Sequence, residues 1–324
     1  MTLRAGLVGI GMMGRHHARV LDQLDGVELV AVCDPSDAVP AHLSGAPVVR
    51  SISELVKIGV DYCVVAAPTG LHHELSLELA EHDIHCLIEK PLATTSAQGR
   101  DIEQAFAKRG LVGGVGHIER YNPALIELRQ RLVAGQLGTL YQIATRRQGP
   151  FPGRIGDVGV VKDLATHDID LTMWISNSDF TSMNAVQSLR AGRAYEDMVI
   201  GIGHLSNGAI TSHIINWLTP FKERCTIVHG EHGVFLADTL TADLSFFENG
   251  SVTNDWDQMS AFKGVSEGNV TRYALQRREP LLVEHQSFRD AVRNGDDGAI
   301  VTLPEGRRVL EIAEKMLENR SDGN

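Results

Sequence analysis

The stretch Leu7-Val8-Gly9-Ile10-Gly11-Met12-Met13-Gly14 decides the fold: three glycines at GxGxxG spacing follow a short apolar run and precede a helix-length segment. In that setting Gly9 permits a tight turn, Gly11 lets the backbone approach a pyrophosphate, and Gly14 lets helix and strand pack closely. The helix beyond would offer free N–H groups and the positive end of its dipole to phosphates. Asp34 comes twenty positions after Gly14, at the end of the second apolar run, where a carboxylate accepts hydrogen bonds from an adenosine ribose. No arginine follows in Asp34-Pro35-Ser36-Asp37, so NAD is expected over NADP.

Working outward, short apolar runs at 5–9, 27–33, 47–50, 61–67, 84–88 and 111–116 alternate with amphipathic segments at 16–24, 71–81 and 96–109. Several runs are apolar on both faces, which suits a parallel, doubly wound α/β sheet covered by helices on both sides. After Asn122-Pro123 a helix to Val133 leads into a different texture. Seven β-type segments then dominate, at 139–147, 179–189, 199–205, 209–217, 223–229, 233–238 and 244–248, with Ser206-Asn207-Gly208 read as a hairpin turn. Helices are expected at 161–175, 282–293 and 304–318. The expected division is a dinucleotide-binding domain at 1–120 and a substrate-binding and oligomerisation α+β domain, with a large, mainly antiparallel sheet, at 121–324.

Composition sets bounds on function. The chain has 324 residues, 43% hydrophobic and 22% charged, without an apolar run long enough to suggest a membrane helix. Its net charge of -11 argues against broad nucleic-acid binding. The N-terminus lacks the layout of a signal peptide, so a cytoplasmic location is expected. Four cysteines without paired spacing read as free thiols, and fourteen histidines without metal-ligand spacing give no expectation of a metal.

Two further stretches carry chemistry. Leu87-Ile88-Glu89-Lys90-Pro91 brings a lysine to the carboxyl end of the fifth run, the edge where ligands lie in open α/β sheets. In Val161–Leu171, Asp163, His167, Asp170 and Trp174 fall at i, i+4, i+7 and i+11 of a helix. That stripe reads either as a solvated polar face or as a histidine base oriented by a carboxylate.

Together the glycine loop with Arg15-His16-His17, Ala67-Pro68-Thr69, Glu89-Lys90-Pro91 and Asp163-x-x-x-His167 resemble the Gfo/Idh/MocA oxidoreductase family. The resemblance implies an N-terminal Rossmann domain and a C-terminal sheet that often builds a homodimer or homotetramer. It implies NAD contacts at Gly9, Ile10, Gly11, Met12, Met13, Gly14, Asp34, Ala67, Pro68, Thr69, His72, Glu89 and Lys90. It also implies that Lys90, Asp163 and His167 form the catalytic set. The chemistry agrees: oxidising an alcohol needs a base of near-neutral pKa, here taken as His167, and an ammonium such as Lys90 can stabilise an alkoxide.

His117–Pro123 and Gly149–Val160 resemble the branch of the family that oxidises the 3-hydroxyl of UDP-N-acetylglucosamine and related nucleotide sugars. On that resemblance Arg120, Tyr121, Asn122 and Arg154 join Lys90, Asp163 and His167 as substrate contacts. Arg146 and Arg147 add guanidinium groups suited to a diphosphate. The competing enzyme reading is oxidation of myo-inositol, another polyol or a simple aldose. A reading of another class is a non-catalytic dinucleotide sensor.

Overall fold

The computed structural model describes residues 2–36, 42–43, 45–153, 158–250 and 266–318. The chain forms two compact units, one of residues 1–118 with 279–314 and the other of residues 119–278 with 315–324.

In the first unit the strands are β1 (Leu3–Val8), β2 (Val27–Cys33), β3 (His42–Leu43), β4 (Ala46–Val49), β5 (Tyr62–Val65), β6 (His85–Glu89) and β7 (Gly113–Gly116). Their order is β3-β4-β2-β1-β5-β6-β7. All neighbours are parallel except the short β3, which turns back against β4 and was not read from the sequence. Strand alternation splits the core between the two faces of the sheet. Tyr62 and Val64 join Leu7, Leu87 and Phe288 on one side, while Cys63 and Val65 join Ile88, Leu92 and Phe106 on the other.

The helices here are α1 (Met12–Gln23), α2 (Ile52–Ile58), α3 (His72–Glu81) and α4 (Ser96–Arg109). α2 was not expected, although Ser51 caps it by accepting the Glu54 N–H, a local start signal visible in Ser51-Ile52-Ser53-Glu54. Thr95 caps α4 in the same way, and Gly110 ends it in a left-handed conformation.

In the second unit α5 (Pro123–Val133) precedes β8 (Leu140–Pro150). One π-helical turn, Val161–Ala165, then runs into α6 (Thr166–Ser176). The remaining strands are β9 (Phe180–Ser188), β10 (Met198–Leu205), β11 (Ile210–Asn216), β12 (Leu218–Gly230), β13 (Gly233–Asp238), β14 (Asp243–Gly250) and β15 (Ser266–Arg272). They form one sheet in the order β15-β14-β13-β12-β8-β11-β10-β9, antiparallel except where β11 runs parallel to β8. The Ser206–Gly208 turn joins β10 to β11 as expected, with Gly208 at φ +87°. α5 packs on β13 and β14 and α6 on β8, while the other face carries the exposed Val186, Ile200, Ile202, Ile210 and Ile214.

The expected assignment of all of 121–324 to a second domain differs from the two compact units. α7 (Pro280–Asn294) and most of α8 (Leu303–Glu318) belong to the first unit. The reason is apolar complementarity: Phe288, Ala291 and Ile300 fill one side of the parallel sheet, and Val301, Leu303 and Leu310 the other.

Candidate active site

The glycine loop joins β1 to α1 and has the shape of a phosphate cradle. Gly9 adopts φ +93°, and a Cβ there would lie 2.8 Å from Ala66 O. A Cβ on Gly14 would lie 2.1 Å from Gly9 O, so close packing of turn and helix demands glycine. At Gly11 an added Cβ meets nothing within 4 Å, which leaves open space over the helix N-terminus. No side chain caps α1, and its first turn has no acidic residue to compete with a phosphate. Asp34 ends β2 with Oδ2 accepting the Ile10 N–H at 2.8 Å and Oδ1 the Ser36 N–H at 2.9 Å. The carboxylate is thereby aimed across the glycine loop with lone pairs left for a ribose. These residues fit a dinucleotide.

Ala67, Pro68 and Thr69 follow β5, and His72 ties them to the segment after β6. Its Nε2 is 2.9 Å from Ala67 O and its Nδ1 2.9 Å from Pro91 O. Burial lowers its pKa, and the two carbonyls pull it partly back. His72 is 1% exposed, so it braces the two loops, and its expected cofactor contact is corrected.

Lys90 stands half-buried at the carboxyl end of β6, as expected, and its peptide bond to Pro91 is cis. Glu89 is buried, with Oε2 accepting the Lys90 N–H at 3.0 Å and Oε1 2.8 Å from His17 Nε2. Burial pushes the Glu89 carboxyl up, but the hydrogen bond and charge of His17, aided by Lys90 and His72, hold it below the ordinary value. Glu89 acts from within the protein, and an expected direct contact with cofactor is corrected accordingly.

In the second unit Asp163 lies in the π-helical turn and His167 in the first turn of α6. They are 5% and 9% exposed, which removes the solvated-face reading. Asp170 and Trp174, on the same stripe, serve the fold. Asp170 takes a forked pair of hydrogen bonds from Arg120 at 2.6 and 2.9 Å, and Trp174 lies under the guanidinium groups of Arg120 and Arg129.

Three expected substrate contacts are corrected by this packing. Arg120 is 7% exposed and engaged with Asp170. Tyr121 is buried, and Asn122 caps α5 through the Ala124 N–H while donating to Thr239 O. Arg154 lies outside the described residues.

Sequence reading missed the buried charge network beneath the α6 segment. Arg147 bridges Asp168 and Glu119 at 2.8 Å each. Burial opposes its charge, but the two carboxylates raise its pKa; burial in turn raises that of Asp168 against the pull of Arg147. Arg224 is near enough to Asp163, Asp168 and Glu119 to feel their charge. Arg146, by contrast, is half exposed and paired with Glu223.

A parallel sheet with a GxGxxG cradle, an acidic residue at the second strand and a lysine at the strand edge defines a dinucleotide-dependent oxidoreductase. Comparison with known proteins agrees. Residues 3–117 match the oxidoreductase family with an NAD-binding Rossmann fold, and residues 125–236 match the GFO/IDH/MocA C-terminal domain. The chain is similar to UDP-N-acetylglucosamine 3-dehydrogenase of Acidithiobacillus ferrooxidans, 26% identical over 96% of this chain and 95% of that one. A solved structure of that dehydrogenase superposes with a TM-score of 0.86, covering 98% of this chain and 96% of the other at 26% identity. Inositol 2-dehydrogenase 4 of Saccharopolyspora erythraea is 33% identical over 70% of this chain and 71% of that one. The chain belongs to the Gfo/Idh/MocA family and is an NAD-dependent oxidoreductase of its sugar and polyol dehydrogenase type.

Proposed function

We propose that this protein oxidises the 3-hydroxyl of a UDP-N-acetylglucosamine-type nucleotide sugar. The observation that carries the reading is similarity to a UDP-N-acetylglucosamine 3-dehydrogenase that runs through both units, in sequence and in fold. NAD, held by the glycine loop and Asp34, supplies the hydride acceptor. His167 takes the hydroxyl proton, Asp163 orients the histidine or the sugar, and the Lys90 ammonium offsets charge developing on oxygen. With Arg120 engaged in the fold, the diphosphate falls to an arginine such as Arg224, which shares a face of the sheet with Arg147.

The 33% identity to an inositol dehydrogenase favours a second reading, a free polyol as substrate. One experiment separates them: incubate the protein with NAD and, in turn, UDP-N-acetylglucosamine, other UDP sugars, myo-inositol and aldoses, following reduced cofactor at 340 nm. Turnover of UDP-N-acetylglucosamine is expected, and turnover confined to inositol would reject the first reading.

We further propose self-association in the cytoplasm through the open face of the second unit's sheet. Register places Val186, Ile200 and Ile214 side by side across β9, β10 and β11, with 66%, 47% and 38% exposure. A contiguous apolar sheet face of this kind marks an interaction surface. Light scattering is expected to give a dimer or tetramer, and Ile200→Lys to give monomer.

A further inference from the structure

Neither cofactor binding nor hydroxyl chemistry accounts for a chain of buried titratable groups in the first unit. Glu89 Oε1 lies 2.8 Å from His17 Nε2, and His17 Nδ1 lies 2.8 Å from His285 Nε2. His17 and His285 are 0% and 1% exposed, and come from α1 and α7, which are far apart in sequence.

The hydrogen bonds set a direction. An ionised Glu89 only accepts, so His17 carries its hydrogen on Nε2. His17 Nδ1 in turn meets Nε2 of the buried His285, so the His17 ring is held at both nitrogens. The other ring nitrogen, His285 Nδ1, is buried and has no hydrogen-bond partner among the described residues. The logic is that of a histidine whose tautomer is set by what its other nitrogen meets.

We propose that His17 and His285 are positioning residues for Lys90: each fixes the next group's hydrogen bonding, and together they hold Glu89 as a carboxylate that clamps the Lys90 backbone N–H. The inference rests on Lys90 being the acting group in the proposed reaction. The other groups facing Glu89 are Lys90 itself, His72 from α3 and Glu284 from α7. Glu284 is fully buried with both carboxyl oxygens unpartnered among the described residues, and burial beside Glu89 holds its pKa well above the ordinary value. It therefore adds no second negative charge. Burial likewise keeps His285 neutral. Without the His17 donor, burial would win at Glu89, its proton would persist to higher pH, and the clamp would weaken.

Two measurements on the NAD-saturated protein test this. The first, independent of substrate, is hydrogen exchange at the Lys90 amide. Exchange is expected to be roughly tenfold faster in His17→Asn, which keeps only the Nδ1-side contact, and to be restored in His17→Gln, whose amide reaches Glu89. Unchanged Lys90 exchange in His17→Asn, or equal loosening throughout α1, β6 and α7, overturns the proposal. The second is the acid limb of kcat against pH on whichever sugar turns over. In His17→Asn and His285→Phe it is expected to move up by about one pH unit or more, and an unmoved limb overturns the proposal. If no sugar in the panel turns over, the proposed substrate fails, while Lys90 exchange still decides the clamp.

Discussion

Gly11 and Gly14 stand three residues apart in one loop and answer to different demands. Gly11→Ala meets open space, so it is expected to leave the melting temperature within about 2 °C while weakening NAD binding, read by quenching of protein fluorescence. Gly14→Ala drives a methyl into Gly9 O and is expected to lower the melting temperature outright. Lys90→Ala and His167→Ala are each expected to cut kcat by roughly a hundredfold or more, with NAD affinity unchanged in His167→Ala. Near-parental kcat in either would remove that residue's role. At this scale the sequence revealed groups whose meaning is local. Gly9, Gly11, Gly14 and Asp34 declare themselves by spacing, and Lys90 by its place at a strand end. Arg120 misled because its partner, Asp170, is fifty positions away. The link from His17 to His285 could not be read at all, since it spans 268 positions and no periodicity connects them.

The elements show the same division. Ser96–Arg109 was predicted to the residue, and the helix expected after Asn122-Pro123 ends near Val133, because caps and apolar spacing agree. The helix expected over 161–175 begins instead with a π-helical turn, a feature that depends on how its backbone is held. Glu196 supplies that hold, accepting the Val161 N–H through Oε1 and the Val160 N–H through its carbonyl. The sheet beneath has its own titration. His213 on β11 is fully buried, pairs with Thr145 Oγ1 at 2.8 Å, and is pushed by burial down to about 4. The native state keeps it neutral while the unfolded chain takes up a proton below about 6.5. Stability is therefore full above that pH and declines by about 3 kcal/mol as pH falls from 6.5 to 4. His72 and His285, also lowered, act in the same direction. Urea unfolding across this range is expected to show the decline, with a smaller slope in His213→Gln. Breaking the buried Arg147 network with Arg147→Met is expected to cost about 3–5 kcal/mol, because Asp168 and Glu119 would keep unpaired charge.

For the whole molecule, two units and their sheet types were legible from the change of hydrophobic period near Asn122. The path of the chain between them was not. Whether an amphipathic helix such as α7 covers one sheet or another is decided by complementary surfaces, and Phe288 fits against Tyr62 with ring centroids 5.5 Å apart. A chain cut after residue 278 is accordingly expected to lose NAD binding although it keeps every glycine of the cradle, as a fluorescence titration would show.

That return path sets an order of events during synthesis. The seven strands of the parallel sheet leave the ribosome early, but the helices that finish covering it follow about two hundred residues later. At ordinary elongation rates the gap lasts roughly 10–40 s. Through that interval the surfaces meant for Phe288 and Leu310 face water, and a nascent chain would depend on chaperones or on speed to avoid aggregation. Moving residues 279–318 ahead of residue 2 by circular permutation would close the gap, and soluble yield at high expression would report the difference.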